Sequence, residues 1–138
     1  MRTYTDLEQS KKLAEILPLE TADMKWYFWK SEIDTPKLPT FGYSKDAAEG
    51  WESTEVVYLP CWSLATLLTF LPFHVDAYNR RFEFSMLKGR NKNSETYEIK
   101  YTLFLEKRPF LHLTDSYNNP VDACVEMILK LHELNLLK

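Results

Sequence analysis

The sequence predicts an α+β fold, in which an antiparallel sheet of about four to five strands carries three helices, mostly on one face. Apolar residues recur at helical spacing near both ends of the chain and once near its middle. Between the second and third of these stretches, apolar and polar residues alternate as in a half-buried antiparallel hairpin. Strands in succession with helices at both ends are typical of this class. The 138 residues fit a single domain spanning 1–138.

Composition narrows the classes of function. The chain has only three glycines, which argues against Gly-rich phosphate loops, and it is rich in aromatic residues, with four Trp, eight Tyr and eight Phe. The formal net charge of −3 argues against nucleic-acid binding. The N-terminus has no apolar signal core and the longest apolar stretch is broken by polar residues and Pro72. We therefore expect a cytoplasmic protein without a membrane partner.

The first predicted helix covers residues 6–17. Thr5 and Glu8 have the spacing of a capping box, in which each side chain bonds to the backbone N–H of the other residue, and Pro18 ends the helix. The aromatic run KWYFWK that follows at residues 25–30 predicts a strand, with Trp26 and Phe28 on one face and Tyr27 and Trp29 on the other. Residues 31–56 are irregular.

The second predicted helix begins at Pro60, because proline suits the first helical turn, and it ends at Pro72. A short strand over 54–59 precedes it. Leucines at 64, 67, 68 and 71 follow helical spacing, and Trp62, Ala65 and Phe70 make the helix apolar nearly all round. Such a helix is normally buried in the centre of a domain.

The third region contains a hairpin and the last helix. Alternation predicts the hairpin over 80–107 with its turn at 89–94, and a further strand over 110–114. The last helix, over about 119–135, begins with Asn119 as N-cap, Pro120 at the first helical position and Asp122 in the first turn.

Three stretches of the sequence are distinctive: LEQSKKLAEILPL at 7–19, LPCWSLA with the following LPF at 59–65 and 71–73, and NPVDACVEMILKLHEL at 119–134. Together they resemble a family of short uncharacterised proteins encoded in phage and mobile elements of gut bacteria. The resemblance covers the three helices and not the central strands. It implies a bacterial cytoplasm and an accessory gene of a mobile element. Because the family has no assigned activity, it carries no functional residues over to this chain.

Residues with possible chemistry also have structural roles. Cys61, at the predicted start of the second helix, could be a nucleophile if a histidine (His74, His112 or His132) lay near it, or it could be a small buried residue. Cys124 and His132 are two turns apart, too far to share one metal ion. Asp122 and Glu126 fit a helix start and an ion pair with Lys130. We therefore predict no cofactor, metal or catalytic residue.

The aromatic residues near the irregular region point to binding. Trp26 and Phe28 are expected to fill the core, which leaves a candidate partner-binding surface of Tyr27, Trp29, Phe41, Tyr43 and Trp51. We expect a non-enzymatic accessory module that binds another protein, or itself, through this surface. Two alternatives stay open: a small thiol-dependent enzyme that uses Cys61 and a histidine, and a weak nucleic-acid binder. The second would use the hairpin residues Arg80, Arg81, Lys88, Arg90 and Lys92.

Overall fold

The computed structural model describes residues 2–29, 39–42, 56–77, 79–103, 109–112 and 117–137. Contacts along the chain group into two compact units, residues 3–66 and residues 67–138 with 1–2. The α+β class and the antiparallel pairing are confirmed. The single sheet of four to five strands is wrong, because the described strands form a three-stranded sheet in the first unit and a four-stranded sheet in the second. The single domain over 1–138 stays a prediction.

The elements follow one another in a simple order. The described helices are α1 (Leu7–Ala14), a 3-10 turn (Leu19–Thr21), α2 (Leu64–Phe70) and α3 (Pro120–Glu133). The described strands are β1 (Met24–Trp29), β2 (Thr40–Phe41), β3 (Val56–Cys61), β4 (His74–Ala77), β5 (Arg80–Asn91), β6 (Ser94–Leu103) and β7 (Pro109–His112).

The sheet of the first unit has β1 at its centre, with β2 on one side and β3 on the other, all antiparallel. Met24 lies opposite Cys61 and Trp26 lies opposite Leu59, so these four side chains share one face. Helix α1 packs against β3, and Tyr4 meets Trp26 edge-on at 5.9 Å. The predicted placement of Trp26 in the core is confirmed, while the side chain of Phe28 lies outside the described part.

Helix α1 begins one residue later than predicted and is shorter. Asp6, not Thr5, is the N-cap: it accepts from the Gln9 amide at 2.8 Å, and Gln9 Oε1 accepts from the Asp6 amide at 3.0 Å. The helix ends at Ala14 with Glu15 as its C-cap, before Pro18 is reached. The predicted Thr5–Glu8 capping box is therefore wrong, because the Thr5 side chain is engaged in bonds to other segments of the chain.

Helix α2 does not begin at Pro60. Pro60 and Cys61 belong to β3, where they pair with Lys25 and Met24 of β1. The Ser63 hydroxyl accepts from the Thr66 amide at 3.3 Å, which caps a helix that starts at Leu64. Of the seven residues of α2 only Leu67 is buried, so the prediction of a central buried helix is wrong as well.

The sheet of the second unit is a meander in the order β4–β5–β6–β7. β5 and β6 pair from Phe82 and Leu103 to Asn91 and Ser94, and the turn is the two-residue Lys92–Asn93, with Lys92 at φ 56°. This confirms the predicted hairpin and places its turn inside the predicted 89–94. The alternation holds along β6, where Tyr97, Ile99 and Tyr101 are buried.

Helix α3 covers the buried face of β6. The Asn119 side chain accepts from the Val121 amide at 2.8 Å, which confirms the predicted N-cap, and the helix ends at Glu133. Its inward stripe is buried: Pro120, Val121, Ala123, Cys124, Val125, Met127, Ile128 and Leu131. The Tyr101 hydroxyl donates to the Pro72 carbonyl oxygen at 2.8 Å, which satisfies a polar group under this helix.

Candidate functional site

The face of the first sheet that points away from α1 carries two tyrosines and a lysine. Side chains alternate along β1, so Lys25 and Tyr27 lie opposite the face of Met24 and Trp26. Tyr27 pairs directly with Tyr58 of β3, and both are half-buried. Lys25 Nζ lies 5.3 Å from the centre of the Tyr58 ring, close enough for a cation–π interaction.

Of the two predicted surface residues whose side chains are described, Phe41 is the more exposed. It lies on the two-residue edge strand β2, and 80% of its surface is accessible. The register places it opposite Met24, so its side chain belongs to the other face of the sheet from Tyr27. The predicted surface is therefore not one flat face: Tyr27 and Tyr58 lie on one face of the small sheet, and Phe41 lies on the other face, on the strand at its edge.

The remaining predicted site residues lie outside the part of the chain whose side chains the structure describes. Trp29 ends β1, but its side chain lies outside the described part, as do Tyr43 and Trp51 entirely. Sequence reasoning missed Tyr58 and Lys25. A strand over 54–59 was predicted, but its pairing with β1 depends on a register that no local pattern contains. We call Tyr27, Phe41 and Tyr58 together the aromatic rim.

A buried polar cluster stabilises the opposite, inner side of the same unit. Thr5 is fully buried, and its hydroxyl oxygen accepts from the Trp62 amide at 3.1 Å and lies 2.7 Å from the Ser10 hydroxyl. The Thr5 hydroxyl also bonds to Cys61 Sγ at 3.5 Å, and the Cys61 thiol donates to the Thr5 carbonyl oxygen at 3.5 Å. The Thr5 carbonyl oxygen accepts from Trp26 Nε1 at 3.1 Å. These bonds join the segment before α1 to β1 and to the end of β3.

The thiol of Cys61 is a part of this cluster and is not placed for catalysis. Cys61 is fully buried at the end of strand β3 and not at a helix N-terminus. Burial raises the pKa of its thiol above the usual range, and the hydrogen bond with the Thr5 side chain lowers it only in part. The sequence of the unit that contains Cys61, residues 3–66, has no histidine. Burial also raises the pKa of Cys124, to about 12. Both thiols stay protonated at neutral pH, so the geometry disfavours the thiol-enzyme alternative.

The basic residues of the hairpin are exposed but are interleaved with carboxylates. Arg81 Nε lies 3.3 Å from Asp76, and Lys88 Nζ lies 3.3 Å from Glu95. The hydrogen bond and charge of Lys88 lower the pKa of Glu95, so this carboxylate stays ionised well below neutral pH. A surface that alternates in sign along the strands does not favour a run of phosphates.

Metal sites, small-molecule cavities and membrane-spanning helices were also sought in the part of the chain that the structure describes. That part contains no group of three His, Cys, Asp or Glu side chains that could hold a metal ion. A cavity of about 120 Å³ beside Pro72, His74 and Leu136 is smaller than the pockets that hold small molecules. Among the described helices, none is both long and apolar enough to cross a membrane.

A comparison of the chain with protein-family models, with curated proteins and with solved structures found no match. The resemblance to the mobile-element family therefore stays a prediction.

Proposed function

We propose that this protein is a non-enzymatic, cytoplasmic accessory module that binds another protein through the aromatic rim. The mobile-element context implied by the resemblance is part of the same proposal. The partner contributes apolar area that packs on Phe41 and polar or acidic groups that meet Tyr27, Tyr58 and Lys25. A second copy of the chain is the alternative occupant, and the experiment below distinguishes the two.

The exposure of Phe41 carries the proposal. A phenylalanine side chain that is 80% exposed leaves most of its apolar surface in water. Full burial of such a side chain at an interface is worth about 1.5–3 kcal/mol. Because β2 is only two residues long and lies at the edge of the sheet, Phe41 can be covered by a partner without any change in the sheet.

The tyrosine pair supports the same reading. Tyr27 and Tyr58 are half-buried, so each has an apolar ring body against the sheet and part of its surface accessible to a partner. Lys25 extends over the Tyr58 ring. Aromatic residues with a neighbouring cation are typical of the few positions that contribute most of the binding energy of an interface.

Site-specific photocrosslinking tests the proposal. A benzoylphenylalanine introduced at position 41 in the native host should give one discrete adduct after irradiation. The matched control carries the same group at Lys12, an exposed position on α1, and should give no such adduct. An adduct whose mass is twice the 16.4 kDa of the chain identifies a second copy, whereas any other discrete mass identifies a different protein.

The tyrosine pair then provides the second half of the test. Tyr27→Ala should remove the adduct at position 41 while the circular dichroism of the folded chain is retained. If position 41 gives no adduct, or if it gives the same adducts as position 12, the aromatic rim is not a binding surface and the proposal fails.

A further inference from the structure

Strand β5 is longer than its neighbour on one side. β6 pairs with it from Phe82 to Asn91, whereas β4 pairs only with the four residues from Arg80 to Glu83. One more bond on the β4 side joins the Phe84 amide to the Phe73 carbonyl oxygen at 2.9 Å. From Ser85 to Asn91, therefore, β5 has a described partner strand on the β6 side alone.

The backbone groups of this segment that point outward can be identified from the hydrogen bonds. The Phe84 amide points to the β4 side, and the direction alternates along a strand, so the N–H and C=O groups of Met86, Lys88 and Arg90 point to the same side. The other edge of the hairpin is consistent with this alternation: Tyr97, which lies across from Lys88, exchanges two backbone hydrogen bonds with Tyr117. Three outward residues span about 14 Å from Met86 to Arg90.

The side chains along this edge are basic. Lys88, Arg90 and Lys92 are exposed. Glu95 pairs with Lys88 at 3.3 Å, which leaves the local charge positive. Leu87, on the other face of the strand, is 45% exposed. The segment therefore combines positive charge and one apolar contact with a row of backbone donors and acceptors that has no partner strand among the described residues.

We propose that the β5 edge, from Ser85 to Asn91, binds an extended acidic segment of a partner protein, which joins the sheet as an additional strand. Strand addition of this kind takes its affinity from main-chain hydrogen bonds and its selectivity from side chains. Acidic residues opposite Lys88 and Arg90 supply favourable cross-strand pairs. The site lies within residues 67–138 and does not depend on the aromatic rim.

Charge also decides between the possible occupants. Two copies of the chain could pair their β5 edges antiparallel, with Met86, Lys88 and Arg90 of each copy facing the other. Lys88 would then lie opposite Lys88 of the other copy, and like charges directly opposite each other are destabilising. Nucleic acid would bring its phosphates near Glu83 and Glu95, which are exposed on the same hairpin. An acidic peptide avoids the Lys88–Lys88 contact, and it can confine its carboxylates to the positions opposite Lys88 and Arg90, whereas the phosphates of a duplex continue along the whole hairpin.

A peptide titration followed by NMR tests this site. The probe is a synthetic ten-residue peptide in which Val and Thr alternate with Glu, and the matched control has Lys at each Glu position. We expect the acidic peptide to bind with a Kd below about 1 mM, at least tenfold more tightly than the control. Its binding should shift the amide resonances of Met86, Lys88 and Arg90 and slow their hydrogen exchange.

Two variants separate the backbone contribution from charge. Lys88→Pro removes the central outward N–H but no bond to β6, and proline is tolerated on edge strands in this orientation. It should abolish binding. Lys88→Gln keeps the N–H and should weaken binding three- to tenfold. If Lys88→Pro loses the native circular dichroism, Met86→Pro removes the next outward N–H and takes its place.

The proposal is overturned if the three amides show no slowed exchange with the acidic peptide, or if the lysine peptide binds equally well. It is also overturned if a 12-base-pair DNA duplex binds the hairpin more tightly than the acidic peptide does. Concentration-dependent dimerisation that protects the same three amides without any peptide would assign the edge to a second copy instead.

Discussion

Replacement of Thr5 by valine tests the buried polar cluster of the first unit. Valine has nearly the same shape, so the packing is retained while the hydroxyl is lost. The Trp62 amide then has no acceptor at this position, and the Ser10 hydroxyl loses its hydrogen-bond partner. Each buried polar group left without a partner costs about 1–3 kcal/mol, so we expect Thr5→Val to lower the free energy of unfolding by about 2–6 kcal/mol.

A double-mutant cycle isolates the Ser10 part of this effect. In Thr5→Val/Ser10→Ala the second orphaned group is gone, so the double variant should be more stable than Thr5→Val by about 1–3 kcal/mol. Thr3→Val, at an exposed position two residues away, is the matched control and should change the free energy of unfolding by less than about 0.5 kcal/mol.

Tryptophan fluorescence during urea unfolding is a suitable assay. All four tryptophans lie within residues 3–66, so the signal reports on the unit that contains the cluster. If Thr5→Val unfolds within about 0.5 kcal/mol of the unaltered chain, the bonds to Trp62 and Ser10 contribute nothing to stability and the reasoning is refuted.

Three further predictions concern the thiols and the second unit. Cys61 should not react with iodoacetamide at pH 8 in the folded chain, because it is buried and its pKa is raised, but it should react after unfolding. Rapid reaction of the folded chain would instead favour the thiol-enzyme alternative. The pKa of Cys124 rises from 9.0 to about 12 on folding, so from pH 9 upward the unfolded chain releases a proton that the folded chain keeps. The contribution of Cys124 to the free energy of unfolding is complete below pH 9 and should fall by about 1.4 kcal/mol per pH unit above it. In urea unfolding, Cys124→Ala should remove this pH dependence. The same pH dependence in the variant and in the unaltered chain would contradict the assignment. Tyr101→Phe should lower stability by about 1–3 kcal/mol in thermal unfolding followed by circular dichroism, because the bond to Pro72 is lost, whereas an unchanged melting temperature would show that bond to be unimportant.

The parts of the fold that local rules determine could be predicted from the sequence. The alternation along β5 and β6, and the cap at Asn119 followed by Pro120, each depend on residues that are close in the chain. These elements were found where the pattern placed them. Their burial followed from the same patterns, since the apolar stripe of α3 and the inward residues of β6 face each other.

The errors arose where contacts distant in sequence overrode a local preference. Pro60 has the features of a first-turn proline, but the pairing of β3 with β1 continues through Cys61, and Ser63 then caps the helix. Thr5 has the features of an N-cap, but its hydroxyl bonds to residues of other segments and Asp6 takes that role. Neither competing contact can be read from a window of a few residues.

The candidate site was only partly predictable for the same reason. Tyr27 and Phe41 could be selected as aromatic residues beside an irregular region, but the register sends them to different faces. Tyr58 and Lys25 belong with Tyr27 only because β3 pairs with β1. The charge of the first unit was also overlooked. Residues 3–66 contain eleven acidic and six basic side chains, an excess of negative charge that the net charge of the whole chain does not reveal.

The affinity of the crosslinked partner for the unaltered chain and for Tyr27→Ala and Phe41→Ala, measured by calorimetry, tests the proposed function most directly. We predict that each substitution weakens binding at least tenfold, about 1.4 kcal/mol, while near-ultraviolet circular dichroism stays native. Affinities equal to that of the unaltered chain, or loss of the native fold in Tyr27→Ala, would show that these rings serve the interior of the protein and not a partner.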